Sequence, residues 1–321
     1  MPIIPSTFPT YDDVKVATDR IRGITRPAPV FEIDRGTFGT SRVFFALEFM
    51  QYTGSFKDRG AANFISAHLE AGSMPDAGVV IASGGNAGLA CAWAAGKHGI
   101  KSTVFLPTTA PSVKVGKLAK LGADVRQVGS EYAEAAEAAV EFAATTGALA
   151  SHAYDNRYIA AGAGTLLPEI HAQIPGLDTV IVAVGGGGLF TGTAVSADAN
   201  GVRVVAVEPE NCRALNAAIE AGEVVDVKVD SVAADSLGAR RTSEMALHWA
   251  RRSTTRSVLV TDKAILDARQ LLWENWRLAV EHGAATALAA LTSGAYVPRD
   301  GERVAVVLCG ANTNLADLVT A

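Results

Sequence analysis

Short apolar runs recur along the 321-residue chain, and each is followed by glycine and then by an Ala-rich stretch long enough for a helix. Runs such as VIVAV (180–184) and RVAVVLC (303–309) do not alternate with polar residues. We therefore expect strands that are buried on both faces. Because these strands alternate with helices, the pattern predicts an α/β fold with a doubly wound, mostly parallel sheet.

Local signals predict where some of the helices begin and end. Gly96 and Gly99 follow an Ala-rich run and are typical of helix ends. Ser130 is a plausible N-cap of the next helix, with Glu131 and Glu134 in its first turns.

Three segments follow predicted strands, where ligands bind in open parallel sheets. They are SGGNAG (83–88), GGGGL (185–189) and CGANTN (309–314). Four consecutive glycines leave backbone N–H groups unshielded beside a positive helix end, which favours a phosphate-binding loop. The alternative is a tight turn whose glycines serve packing. The loop lacks the Gly-Lys-Ser/Thr of a nucleotide-binding P-loop and the glycine spacing of a dinucleotide-binding loop.

Composition narrows the class of protein. The chain is 49% hydrophobic, and 28 basic against 33 acidic residues give a net charge of −5, so we expect neither nucleic acid nor a membrane surface as a partner. The start, MPIIPSTFPTYDDV, resembles no signal peptide, and we expect a cytoplasmic protein. The three cysteines, Cys91, Cys212 and Cys309, have no metal-ligand spacing, so neither a disulfide framework nor a metal site is expected.

Lys57 is the candidate for covalent chemistry. It lies in GSFKDRG directly after Phe56, whose flat face could pack against a ring. A solvated surface lysine is the common alternative, because lysine is almost never buried. A phosphate-binding loop, a lysine in an apolar setting and the lack of a metal cluster together suggest pyridoxal phosphate.

The motifs TGSFKDRGA, SGGNAG, YIAAGAGTLLPEI, VGGGGLFTG and LCGAN occur in the order found in fold-type II pyridoxal-phosphate enzymes, which the chain resembles from about residue 25 onwards. This family includes threonine and serine dehydratases, serine racemase, cysteine synthase and threonine synthase. The resemblance implies two doubly wound, mostly parallel open sheets, as in the tryptophan synthase β-subunit. It also implies a large cofactor-binding domain (1–47 and 148–321) and a small domain (48–147).

The resemblance assigns roles to individual positions. Lys57 matches the Schiff-base lysine, Phe56 the residue beside the cofactor ring, and Asn86 the side chain that hydrogen-bonds the phenolic oxygen. Glu281 matches a glutamate near the ring, and Cys309 would face the pyridine nitrogen. The cofactor phosphate would bind Gly185, Gly186, Gly187, Gly188 and Leu189, and the substrate carboxylate would bind Ser83, Gly84, Gly85, Asn86 and Ala87.

Within the family, GGGGL together with Cys309 resembles the serine/threonine dehydratases of the serine-dehydratase type. Threonine synthases share Asp58 in TGSFKDRG with this chain and are the second choice. They rank lower because they need a second phosphate pocket for their substrate, and no second glycine-rich segment or Arg cluster is evident in the sequence. A non-catalytic amino-acid-binding relative is a third possibility, but it would not need Lys57. We expect a dehydratase in which Lys57 removes the Cα proton of L-threonine or L-serine, and the cofactor phosphate protonates the leaving hydroxyl.

Three further expectations follow from the resemblance. Gly84 stands where serine racemases carry a serine that serves as a second acid/base, so little racemisation is expected. Glu208 matches the first ligand of the racemases' divalent-metal site, but Ala214 replaces the aspartate six residues on, which argues against that site. A homodimer is the family expectation. The preferred β-hydroxy amino acid and the binding of a monovalent cation stay open.

Overall fold

The computed structural model describes residues 8–252 and 254–319 of the chain. The strands of these residues form one six-stranded and one four-stranded sheet, with helices packed around both. The predicted α/β class with two mostly parallel sheets is confirmed. The domain boundaries at 47/48 and 147/148 stay a prediction.

The six-stranded sheet has the strand order β1-β2-β10-β7-β8-β9. β1 pairs antiparallel with β2 at one edge, and all the other neighbours are parallel. Its strands are β1 (Val30–Glu32), β2 (Arg42–Ala46), β7 (Thr179–Ala183), β8 (Arg203–Pro209), β9 (Thr255–Val260) and β10 (Arg303–Val307).

The four-stranded sheet is parallel throughout, in the order β5-β4-β3-β6. Its strands are β3 (Val79–Ala82), β4 (Ser102–Leu106), β5 (Asp124–Gln127) and β6 (Leu149–Ala150). Parallel strands need a crossover connection, and a helix supplies it between each consecutive pair of strands along the chain, from β3 to β6.

The helices follow the predicted alternation with strands, and a short 3₁₀ helix covers Glu48–Met50. They are α1 (Tyr11–Ile21), α2 (Lys57–Glu70), α3 (Asn86–Lys97), α4 (Ser112–Lys120), α5 (Tyr132–Thr146), α6 (Arg157–Gly164), α7 (Leu166–Gln173), α8 (Gly188–Asn200), α9 (Ala214–Ala221), α10 (Ala234–Leu237), α11 (Glu244–Ala250), α12 (Asp262–Trp276), α13 (His282–Thr292) and α14 (Ala316–Val319).

The apolar runs form the cores of the two sheets. Val180, Ile181 and Val182 of β7 have no solvent exposure, as their continuous apolar sequence predicts for a central strand. Burial of each such side chain stabilises the fold by about 1.5–3 kcal/mol relative to exposure. α8 and α13 pack on the large sheet, whereas α3 and α5 pack on the small one. α6 contacts both α2 and α8, so it links the helix that begins at Lys57 to the helix after β7.

Two details of the helix ends differ from the sequence prediction. The N-cap of α5 is Glu131 rather than Ser130, because the Glu131 and Glu134 carboxylates complete a capping box with each other's backbone N–H. Gly96 lies inside the last turn of α3, and Gly99, with φ +67°, follows the end of the helix. Within the described residues, no helix combines the length and the apolar character needed to cross a membrane.

Candidate active site

Lys57 is the first residue of α2. The preceding loop is tied to the segment after β10. The Phe56 N–H donates to the Cys309 carbonyl at 2.9 Å, and Ser55 forms a bridge with Gly310. These contacts place the lysine at the carboxyl end of the large sheet, where ligands bind in such folds.

The Lys57 amine lies in a partly buried, weakly polar environment. Its Nζ donates to the Ala153 carbonyl at 2.7 Å and lies 4.7 Å from the centroid of the Phe56 ring. Burial lowers the pKa of Lys57 to about 8, although the Glu281 carboxylate opposes this shift. With such a pKa, roughly a tenth of the amine is neutral at pH 7, so Lys57 can act as a nucleophile or base.

Asn86, at the start of α3, contacts Glu281, the residue before α13. Asn86 Nδ2 donates to Glu281 Oε1 at 3.0 Å and to Oε2 at 3.1 Å, and Asn86 Oδ1 accepts from Asn312 Nδ2 at 2.8 Å. Glu281 is buried, and burial raises its pKa to about 7, against the hydrogen bond from Asn86 and the charge of Lys57. The carboxyl group therefore titrates near neutral pH.

The predicted carboxylate-binding loop (residues 83–88) connects β3 to α3. A side chain at Gly88 would place its Cβ 1.9 Å from the Ser83 carbonyl oxygen, so the tight turn requires glycine there. The loop borders a cleft of about 50 Å³. The cleft is lined by Gly84, Gly85, Asn86, Leu89, Lys114, Lys117, Asp235, Ser236, Glu281 and Asn312.

The glycine loop (residues 185–189) connects β7 to α8. Gly187 has φ +99°, and a side chain there would place its Cβ 2.5 Å from the Ala246 Cβ; at Gly186 it would lie 2.3 Å from the Tyr154 ring. Among the described residues, the N–H groups of Gly185, Gly186 and Gly187 donate no hydrogen bond. Unpaired N–H groups at the start of a 13-residue helix fit a phosphate group, such as that of pyridoxal phosphate.

Cys309 follows β10 and is 3% exposed. Burial, with the nearby charge of Glu281, raises the pKa of its thiol well above the ordinary range, so the thiol is neutral at physiological pH. Its electrostatic neighbours include Lys57, which places Cys309 in the same cluster as the lysine and Glu281.

Glu208 has a structural use in this fold. One carboxylate oxygen accepts from the Leu215 N–H at 2.8 Å and the other from the Asn216 N–H at 2.7 Å, so it binds the start of α9. Within residues 8–252 and 254–319, no group of three or more His, Cys, Asp or Glu side chains is arranged to hold a metal ion.

The predicted site residues therefore fall into two connected groups. Lys57, Glu281 and Cys309 interact electrostatically, and Asn86 joins them from the small sheet. The Ala153 carbonyl accepts from the Lys57 amine, and the ring of the next residue, Tyr154, lies against Gly186 of the glycine loop. Sequence reasoning missed the contributions of Asn312, Ala153 and Tyr154. Asn312 lies in the recognised CGANTN segment, whereas HAYDN (152–156) carried no recognised signal.

This fold and site define an α/β enzyme that binds an anionic cofactor beside an amine nucleophile. The family model described as pyridoxal-phosphate dependent enzyme (PALP) matches residues 21–310. The chain therefore belongs to this family of pyridoxal-phosphate-dependent enzymes, and the predicted family and cofactor are confirmed.

Individual relatives cover nearly the whole chain. The L-threonine ammonia-lyase of Thermotoga maritima is 32% identical over 95% of this chain and 76% of its own length. The phenylserine dehydratase of Ralstonia pickettii is 34% identical over 97% of this chain and 95% of its own. Among solved structures, maize serine racemase superimposes with a TM-score of 0.89 at 28% identity, covering 97% of this chain and 96% of that one.

Proposed function

We propose that the protein is a pyridoxal-phosphate-dependent ammonia-lyase that converts L-threonine or L-serine to a 2-oxo acid and ammonia. The two curated relatives reported above are named an ammonia-lyase and a dehydratase, and the predicted dehydratase activity is confirmed at that level. The choice of threonine or serine, the roles of the residues, a cytoplasmic location and a homodimer are the parts that we propose.

One observation carries the assignment of residues: Lys57 connects the two ligand-binding loops. On one side, its amine binds the Ala153 carbonyl, and the adjacent Tyr154 packs on Gly186 of the glycine loop. On the other side, its charge interacts with Glu281, which holds the Asn86 amide. A molecule with a phosphate at the glycine loop and a ring beside Lys57 would thus lie between the two loops.

Pyridoxal phosphate, when bound, supplies the electron sink that weakens the Cα–H bond of the substrate. The N–H groups of the glycine loop would bind its phosphate, and Phe56 would pack beside its ring. Asn86 and Glu281 would orient the ring, and Cys309 would face it with a neutral thiol.

Lys57 would remove the Cα proton, and a pKa near 8 suits a base that works at neutral pH. The loop of residues 83–88 would bind the substrate carboxylate through backbone N–H groups at the start of α3. The cleft beside this loop would receive the β-substituent. Lys114 donates to Asp235 at 2.8 Å across the cleft, and this ion pair favours a small substituent such as the hydrogen of serine or the methyl of threonine.

The test is a substrate panel of L-serine, L-threonine, phenylserine and 3-hydroxyaspartate, with 2-oxo acid and ammonia measured together. We expect L-threonine and L-serine to react fastest, and Lys57→Ala to abolish turnover. Lys120→Ala, an exposed lysine at the end of α4, is the matched control and should retain full activity.

Borohydride reduction followed by peptide mapping checks the anchor independently and should locate the pyridoxyl group on Lys57. Labelling of another lysine would show that the residue assignment is wrong. Turnover of phosphohomoserine, with no ammonia released from threonine or serine, would favour a threonine synthase instead.

A further inference from the structure

A second cavity lies at the end of the large sheet's strands that is opposite the candidate active site. It has a volume of about 210 Å³ and lies at the amino ends of β8 and β9, whereas the glycine loop follows the carboxyl end of β7. Its lining is formed by Arg203, Thr255, Arg256, Tyr296, Val297 and Arg299. Three of these six residues are arginines and none is acidic, so the wall is strongly cationic.

The carboxylate behind this wall offsets only part of the charge. Arg203 Nη1 donates to Glu302 Oε1 at 3.2 Å, and Glu302 is almost fully buried. Glu302 also accepts from the Thr179 and Tyr296 hydroxyls and, at 2.6 Å, from the Arg299 backbone N–H. Glu302 thus partly neutralises Arg203 and Arg299, and among the residues that line the cavity no carboxylate offsets the charge of Arg256.

The other two arginines remain available to a ligand. Arg299 is 68% exposed in its side chain, and its Nε lies 3.8 Å from Glu302 Oε2, too far for a hydrogen bond. Its neighbour Asp300 accepts from the Thr40 hydroxyl at 2.9 Å and is not among the residues that line the cavity. Arg256 lies with its Cζ 5.5 Å from the centroid of the buried Tyr296 ring, which holds the guanidinium at the rim.

We propose that this cavity binds a small molecule through a phosphate group, at a site separate from the candidate active site. A guanidinium group presents N–H donors in a planar fork that matches phosphate oxygens, and two such forks here lack a strong internal partner. The volume of about 210 Å³ is smaller than that of typical drug-sized ligand sites and suits a small molecule such as pyrophosphate.

Calorimetric titration of the holoenzyme with pyrophosphate tests the proposal. The holoenzyme is used because bound cofactor fills the glycine loop, which would otherwise compete for the anion. Arg256→Gln and Arg299→Gln should each weaken the binding by about tenfold or more, since a hydrogen bond to a charged group is lost in each. The matched control is Arg22→Gln on α1, an exposed arginine outside the cavity, and it should bind like the wild type.

Arg256 and Arg299 are exposed, so unchanged melting temperatures will show that these variants fold normally. Equal pyrophosphate affinity in the wild type and both variants would overturn the proposal, as would a wild-type holoenzyme that binds no pyrophosphate. Citrate at the same concentration is the second arm. If citrate binds as tightly as pyrophosphate, the assignment of a phosphate group is wrong.

Discussion

Arg59 offers a sharp test of how the candidate site is held in place. It lies in the first turn of α2, two residues after Lys57, and its side chain has no solvent exposure. Its guanidinium donates to Glu48 Oε1 at 2.7 Å and to both oxygens of Glu169 at 2.8 Å. Burial alone would lower the pKa of Arg59, but the charges of these two carboxylates raise it, so Arg59 stays charged.

Replacement of Arg59 by methionine keeps the length of the side chain and removes its charge. Glu48, with no exposure, then loses its cation, and breaking a buried pair in this way costs about 3–5 kcal/mol of unfolding free energy. Glu169 adds little to this loss because its carboxylate, 29% exposed, can be solvated. At about 2 °C per kcal/mol for a large chain, the melting temperature should fall by about 6–10 °C.

Thermal unfolding of the holoenzyme variants measures this effect. Arg22→Met, which breaks an exposed pair with Asp19, should cost less than about 1 kcal/mol and is the control. The double variant Arg59→Met/Glu48→Leu removes both buried charges and should recover most of the loss. If Arg59→Met melts within about 1 °C of Arg22→Met, or if the double variant is no more stable than Arg59→Met, the reasoning is refuted.

Three other predictions concern the chemistry. Reconstitution of the apoenzyme with pyridoxal phosphate, followed by visible absorbance, should accelerate as pH rises through about 8. Burial lowers the pKa of Lys57 to about 8, and only the neutral amine attacks an aldehyde. A rate that is flat from pH 6 to 9 would contradict this. L-Serine should give negligible D-serine by chiral chromatography, because Gly84 has no side chain to carry a proton. Gly84→Ser supplies a hydroxyl and should raise D-serine several-fold, although its Cβ, 2.9 Å from Leu106, requires a shift of that buried side chain. Cys309→Ser should keep dehydratase activity, whereas Cys309→Asp should slow 2-oxo acid formation several-fold; equal rates and unchanged cofactor spectra would show that Cys309 does not contact the ring.

The sequence predicted the fold class and the position of both ligand-binding loops because these features depend on local patterns. A continuous apolar run followed by glycines and an Ala-rich helix defines a βα unit, and ligands bind at the carboxyl ends of parallel strands whatever the remaining topology. The loops at 83–88 and 185–189 lie where this rule places them.

The contacts that complete the site could not be predicted in the same way. Asn86 is separated by 195 residues from Glu281 and by 226 residues from Asn312, and Lys57 is 96 residues from the carbonyl that its amine binds. No periodicity spans such distances. The arrangement is set by how the helices and sheets pack, which sequence patterns do not specify.

The charged triplet Lys57-Asp58-Arg59 shows where pattern and structure diverge most. Three consecutive charged residues at the start of a helix are typical of a solvated surface, yet burial of Asp58 and Arg59 is complete and the Lys57 amine is largely enclosed. The two buried charges have different partners. Arg59 pairs with Glu48 and Glu169, and Asp58 accepts from the Thr53 N–H at 2.9 Å. Among the described residues, the Lys57 amine has one hydrogen-bond partner, the Ala153 carbonyl, and burial lowers its pKa. Of the three charges, that of Arg59 is fully compensated, whereas burial raises the pKa of Asp58 to about 6. The weak compensation of Lys57 is what its proposed role as a base requires.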